Sequence, residues 1–299
     1  MDILTVRNLR KSFGDKQVLR GLELTVPEHS VFGFVGRNGA GKTTTMKAVL
    51  GLLKPDGGEV YVAGERVVFG QTATNRHIGY LPDVPEFYSF MTAKEYLRLC
   101  GESLHMERSE IESRSRELLG LVGLGNETHR IKGYSRGMKQ RLGIAQALIG
   151  RPKLLICDEP TSALDPIGRR EILEVLLSVR EQTTVLFSTH ILSDVERICT
   201  DVALLHDGQI AMQGPVDLLK GARRAEEFTV ELMDGADAEE LLGAFPDARR
   251  GESGSVILPG SEAEMAAVLD HIRQKGLSLR RMERAETSIE SLFLEVVQK

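Results

Sequence analysis

One nine-residue stretch constrains this chain more than any other: Gly36-Arg37-Asn38-Gly39-Ala40-Gly41-Lys42-Thr43-Thr44. It reads as glycine, four residues, then Gly-Lys-Thr, the pattern of a loop that cradles a polyphosphate. Glycines let the backbone turn through dihedrals that side chains disfavour and come close to an anion, so that successive N–H groups surround its oxygens. Lys42 adds a mobile positive charge suited to β- and γ-phosphates, and the Thr43 hydroxyl suits Mg²⁺. The flanks supply the required context. Val31-Phe32-Gly33-Phe34-Val35 is an apolar run suited to a buried strand, and Met46, Val49, Leu50 and Leu53 follow at helical spacing. A strand, a glycine loop and a helix N-terminus facing the anion make one phosphate site. The competing reading, a glycine-rich turn without a ligand, does not account for these flanks.

From Asp2 to about Val26, apolar and polar residues alternate, with turn residues at Gly14-Asp15 and Gly21, which predicts an antiparallel β-region. Phe13 stands just before the first turn, where its ring would suit either a nucleobase or the core. Beyond the loop and its helix, Lys54–Glu59 reads as a turn, Val60-Tyr61-Val62 as a strand, and Ile78–Asp83 as a short strand ending at Pro82. From Thr92 to about Ile149 the periodicity is mainly helical, interrupted at Gly101, Gly120, Gly123, Gly125 and Gly133. That block predicts a helical insertion, about residues 84–150, in an otherwise α/β domain.

Lys153-Leu154-Leu155-Ile156-Cys157-Asp158-Glu159 is the second informative stretch. Its apolar run predicts a buried parallel strand that delivers two carboxylates at its C-terminal end, where α/β sheets bind ligands. One acid there suits Mg²⁺ and its neighbour suits orienting or deprotonating a water; an exposed acidic turn before Pro160 is the alternative. Asp165-Pro166 has the form of a helix cap followed by proline in the first turn, and Ile172, Val175, Leu176 and Val179 give that helix an apolar stripe. Thr184–Ser188 reads as another buried strand, ending at Thr189-His190; a lone histidine at a strand end is by itself ordinary.

At 299 residues, the length suggests one large and one small domain. A net charge of −5 argues against a large nucleic-acid-binding surface. Cys100, Cys157 and Cys199 are far apart, without metal-ligand or redox spacing, as expected for reduced, mostly buried thiols in a cytoplasmic protein. No apolar run approaches the length of a membrane span, and Met1-Asp2-Ile3-Leu4 opens directly into a strand-like pattern without a signal peptide. Action at a membrane would therefore require a separate membrane-spanning partner.

Taken together, these stretches resemble the ATPase subunit of ATP-binding cassette (ABC) transporters. The deciding piece is Tyr134-Ser135-Arg136-Gly137-Met138-Lys139-Gln140-Arg141, which resembles the family's signature and lies upstream of the acidic strand. Ser135 is placed to cap a helix bearing Met138, Leu142, Ala145 and Ile149, and Gly137 permits close approach, so this N-terminus is a second anion site. The resemblance spans about residues 2–220. It implies a P-loop α/β fold with a mixed sheet, an antiparallel β-subdomain and a helical subdomain. It also implies ATP and Mg²⁺ as cofactors, and two subunits paired head-to-tail with each signature closing on the ATP held by the other. Residue by residue, it implies adenine stacking by Phe13 and phosphate contacts from Gly36, Asn38, Gly39, Ala40, Gly41, Lys42, Thr43 and Thr44. Mg²⁺ would fall to Thr43, Asp158 and Asp83, the general base would be Glu159, and His190 would sense the γ-phosphate and hold Glu159. Ser162-Ala163-Leu164-Asp165 resembles the loop that meets the opposite subunit.

Three positions depart from the family. Asp83 stands where a glutamine is usual; an acid still suits Mg²⁺ but adds negative charge beside the phosphates. Arg136 replaces a signature glycine and Met138 a signature glutamine, while Ser135 and Gly137 are kept. The loop after Asp83 is the expected contact with integral membrane permease subunits.

Beyond about Lys220 the nucleotide motifs stop. A strand at Glu226–Leu232, a helix at Ala238–Phe245, a strand at Ser255–Leu258 and capping patterns at Ser261-x-x-Glu264 and Thr287-x-x-Glu290 predict an accessory α/β domain over 221–299. Ile289, Leu292, Phe293 and Val296 form an apolar stripe suited to packing in its own domain, on the main domain or on a second copy. Such a tail, with the Ser188–Glu196 run, resembles ATPases of drug, antibiotic, lipid or polysaccharide exporters. The leading expectation is thus a peripheral ATPase on the cytoplasmic membrane face that powers export. Alternatives are an importer ATPase, a non-transport relative acting on the ribosome or DNA, and a nucleotide-binding switch.

Overall fold

The apolar runs become the centre of a six-stranded sheet. In this computed structural model, which describes residues 1–222, 227–251, 254–284 and 288–298, β3 (Val31–Gly36), β7 (Leu154–Cys157) and β8 (Thr184–Thr189) are buried along their whole length. Strands buried on both faces read as continuous apolar runs because helices or a second sheet cover each side. The order is β10-β9-β3-β8-β7-β6, with β6 (Ile78–Leu81), β7, β8, β3 and β9 (Asp201–His206) parallel and β10 (Gln209–Pro215) antiparallel at one edge.

The N-terminal hairpin, β1 (Asp2–Phe13) and β2 (Lys16–Pro27), joins β4 (Gly57–Val62) and β5 (Glu65–Arg66) in a separate antiparallel sheet of order β2-β1-β4-β5. The turn falls at Gly14-Asp15 as expected, since Phe13 pairs with Lys16. Gly21 does not turn the chain. It lies inside β2, unpaired between Leu22 opposite Leu9 and Arg20 opposite Arg10, with φ of 86°. A bulge glycine and a turn glycine look alike in sequence because both use the left-handed region.

Helix α1 (Lys42–Val49) leaves the glycine loop, and between β6 and β7 come α2 (Ala93–Ser103), α3 (Arg108–Leu121) and α4 (Arg136–Leu148). Thr92 and Glu95 close a reciprocal capping box on α2. Helix α4 runs along β6 and the residues after it. An added Cβ on Gly79 would stand 2.2 Å from the Ala147 carbonyl oxygen, and one on Gly143 would stand 2.4 Å from Leu81 Cδ1. Then follow α5 (Pro166–Ser178), capped by Asp165 through the Gly168 N–H, and α6 (Leu192–Ile198) after β8. Two buried clusters, one around Phe187 and Leu142 and one around Phe32 and Phe34, hold these layers together.

The chain forms two compact units, Met1–Val216 with the stretch from Phe293 onward, and Asp217–Leu292; α7 (Val216–Ala222) begins at the division. The second unit contains β11 (Glu227–Leu232), α8 (Gly235–Ala244), β12 (Arg249–Arg250), β13 (Val256–Pro259), α9 (Glu262–Lys275) and β14 (Leu279–Arg284). Its sheet order is β12-β13-β11-β14 with every neighbour antiparallel, so its β-α-β-β-α-β chain makes a ferredoxin-like sheet. Phe228, Val230, Leu241, Val256, Leu258, Val268 and Ile272 form its core. The Ser261 N–H donates to the Glu264 carboxylate at the start of α9. Ile289 and Leu292, in α10 (Ile289–Gln298), are fully buried. The expected cap at Thr287, residue Glu226 and the Val296 side chain lie outside what the structure describes.

Gly79→Ala should lower stability by about 1–3 kcal/mol, because a methyl group there drives α4 off β6. Urea unfolding followed by circular dichroism measures it, and an unchanged midpoint would contradict this packing.

Candidate functional site

The strand order decides which side chains meet. Strand β8 lies between β3 and β7, with Ser188 opposite Phe34 and Phe187 opposite Cys157, so the three C-terminal ends stand level. The glycine loop leaves β3, two carboxylates leave β7, and Ser188 with His190 come from the end of β8.

Gly41 caps α1 with φ of 115°, and an added Cβ would stand 2.7 Å from Leu19 Cδ2. Both facts exclude a side chain there and leave the helix N–H groups pointing into the loop. Lys42, only 6% exposed, donates from Nζ to the Gly36 carbonyl at 2.7 Å and stands 3.1 Å from Glu159 Oε1. The Thr43 hydroxyl donates to Asp158 Oδ2 at 2.8 Å. The other Glu159 oxygen, Oε2, is 2.8 Å from His190 Nδ1. Glu159 itself has φ of 48°, a left-handed conformation that costs a non-glycine residue free energy and turns its carboxylate away from the line of β7.

Asp158 is buried, so both its oxygens need partners. Oδ2 takes the Thr43 hydroxyl, and Oδ1 takes the Ser188 hydroxyl at 2.6 Å. Ser188 in turn accepts the Glu159 N–H at 2.9 Å. Burial pushes the neighbouring Cys157 thiol well up, with Asp158 adding to it, and raises Tyr80 to about 12, so both stay neutral beside the acids. The three cysteines carry free thiols.

Thr43 Oγ1 and Asp158 Oδ2 are adjacent hard oxygens, a donor pair that fits Mg²⁺, which takes few protein ligands and keeps water and phosphate in its shell. Among the described residues no group of three or more His, Cys, Asp or Glu side chains forms a metal cage.

Phe13 is 51% exposed at the hairpin, with Lys11 Nζ 5.4 Å from its ring centroid. Its hairpin partner Lys16 lines a cleft of about 330 Å³ together with Asn38, Gly39 and Ala40, and the ring itself lies outside the core. Ser135 caps α4 by accepting the Met138 N–H, and at Gly137 an added Cβ would meet only Leu164 Cδ2, at an ordinary 3.9 Å. Among the described residues no hydrogen bond links Ser135 to the glycine loop of its own chain.

Asp83 has polar contacts with two other side chains. Its carboxylate accepts the Ser162 hydroxyl at 2.6 Å and stands 3.7 Å from Arg136 Nη2, while Thr43 and Asp158 engage each other.

Two further features escaped the sequence reading. Ser188 joins Asp158 to Glu159; a hydroxyl inside an apolar strand was the available signal, because a buried hydroxyl needs a partner. The buried Asp194 accepts from Thr161 Oγ1 at 2.8 Å and Arg169 Nε at 2.6 Å, tying the turn after Glu159 to the helix after His190. Ser188→Ala should cut catalytic turnover about 10- to 100-fold while nucleotide binding persists. A turnover assay beside a nucleotide-binding titration measures this, and normal turnover would remove Ser188 from the site.

A family model described as ABC transporter matches residues 19–162. The chain is 38% identical over 299 residues, 99% of each sequence, to YxlF of Bacillus subtilis (strain 168), an uncharacterized ABC transporter ATP-binding protein. It is 33% identical over 301 residues, 99% of this chain and 97% of the relative, to the bacitracin transport ATP-binding protein BcrA of Bacillus licheniformis. It is 37% identical over 228 residues, 76% of this chain and 95% of the relative, to the lantibiotic transport ATP-binding protein SrtF of Streptococcus pyogenes. A solved ATP-binding subunit of an ABC transporter superposes with a TM-score of 0.66 at 32% identity, covering 74% of this chain and 92% of that one.

Proposed function

Because the chain belongs to the ATP-binding subunits of ABC transporters, which hydrolyse ATP, we propose that it powers export through separate membrane permease subunits. The observation that carries the reading is the convergence of Lys42, Thr43, Asp158, Glu159 and His190 at three level strand ends. The relatives named for bacitracin and lantibiotic transport favour export over import, and the bacitracin relative matches along nearly the whole chain. Similarity of that extent also disfavours action on the ribosome, on DNA or as a switch. No described helix is long and apolar enough to cross a membrane, so the reading places the protein on the cytoplasmic face beside a spanning partner.

The loop N–H groups from Gly36 to Thr44 surround the phosphates of ATP, Lys42 reaches the β- and γ-phosphates, and Phe13 offers its exposed ring to adenine. Thr43 and Asp158 would hold Mg²⁺, which would neutralise charge on those phosphates. Glu159 takes a proton from the attacking water. His190 fixes one oxygen of that carboxylate, so the base is oriented before reaction. Ser135 and Gly137 serve the ATP held by a second copy, which makes ATP the cement of a homodimer. Exposed Val84, Tyr88 and Phe90 follow Asp83 beside a cleft of about 430 Å³, an apolar surface suited to the permease.

Glu159→Gln should keep ATP affinity and lower kcat by about 10²- to 10⁴-fold. Steady-state hydrolysis together with equilibrium ATP binding tests this; a normal kcat would show that Glu159 is not the base.

A further inference from the structure

Two of the three departures from the family pattern meet in space. Asp83 brings an acid where an amide is usual, and Arg136 brings a cation where glycine is usual; their side chains stand 3.7 Å apart. Ser162 completes the group, donating its hydroxyl to Asp83 Oδ1 at 2.6 Å and standing 3.5 Å from Arg136 Nη2.

The helix geometry shows why they meet. Arg136, Gln140, Gly143 and Ala147 recur at spacings of four, three and four, so they share one face of α4. Ala147 packs on Gly79 and Gly143 on Leu81 and Pro85, while Gln140 Nε2 donates to the Asp83 carbonyl at 2.7 Å. Arg136 is the last member of this stripe and the only one whose contact depends on charge. The packing below it fixes the register, so Arg136 faces the Asp83 side chain.

Ser162 carries the contact towards the reaction. Its N–H donates to the Glu159 carbonyl at 3.0 Å, and the next residue, Ala163, is left-handed with φ of 52°. A short path thus runs from the end of α4, through Asp83 and Ser162, to the turn that presents Glu159.

We propose that Asp83 and Arg136 are a matched charge pair that positions Ser162, and through it the Glu159 turn and the loop from Ser162 to Asp165, for hydrolysis. Both are positioning residues. The pair is neutral as a unit, so Asp83 places no unbalanced charge beside the phosphates. The inference rests on the assignment of Mg²⁺ to Thr43 and Asp158 and goes beyond it by giving Asp83 another task.

The test is a double-mutant cycle on the full chain with D83N, R136Q and their combination, together with the charge swap of D83R and R136D. ATP hydrolysis yields kcat, KM and the Mg²⁺ concentration at half-maximal rate. Both side chains are half exposed, and thermal melting of each variant checks that folding is kept. Each single change should lower kcat about 3-fold with the Mg²⁺ requirement unchanged. The combined variant should be no slower than the slower single one, and the charge swap should regain at least about half of the lost rate. A several-fold higher Mg²⁺ requirement in D83N would make Asp83 a metal ligand and overturn the proposal, as would multiplicative losses in the combined variant. D158N, measured alongside, should raise the Mg²⁺ requirement; if it does not, the metal assignment fails, while the cycle still decides the pair.

Discussion

Burial of Asp158 is the constraint on which the site depends. A carboxylate at the end of a central strand, out of reach of water, must have its oxygens engaged by neighbouring strands. Ser188 on β8 supplies one partner and Thr43 beyond β3 supplies the other. These bonds fix the phosphate loop relative to β7 and place Glu159 within reach of Lys42 and His190. The parallel sheet therefore acts as a frame that aligns three loops. None of them holds the reacting groups alone.

What could be read in advance was chemistry local in sequence. The glycine loop, the apolar strands and the Asp165-Pro166 cap each carry their cause within a few residues, and the structure forms them where the spacing says. Gly21 misled because its left-handed backbone serves a bulge as readily as a turn. In the C-terminal unit the helices and two of the four strands were legible; β12 and β14 were not, nor was the ferredoxin-like order, since strand order depends on pairing across the chain. The same limit hid Ser188 and the Thr161–Arg169–Asp194 group, whose partners are brought together only by the sheet.

Asp83 is the instructive intermediate case. Its departure from the family was visible, and so was that of Arg136, yet taken singly each looked like an isolated oddity. The face that α4 presents to β6 joins them. That face also bears on the proposed coupling. The same helix carries Ser135 and Gly137 at its N-terminus and packs beside the segment whose exposed Val84, Tyr88 and Phe90 would meet a permease. A shift of that segment would therefore be felt at the N-terminus of α4.

The proposed function turns on two copies sharing each ATP. Sedimentation of the Glu159→Gln protein in ATP with Mg²⁺ tests it most directly. Shared ATP should give a species of twice the 33.0 kDa chain mass in ATP, a single-chain species in ADP, and no doubling when Ser135→Arg is added. A single-chain species in ATP, or doubling that survives Ser135→Arg, would contradict it.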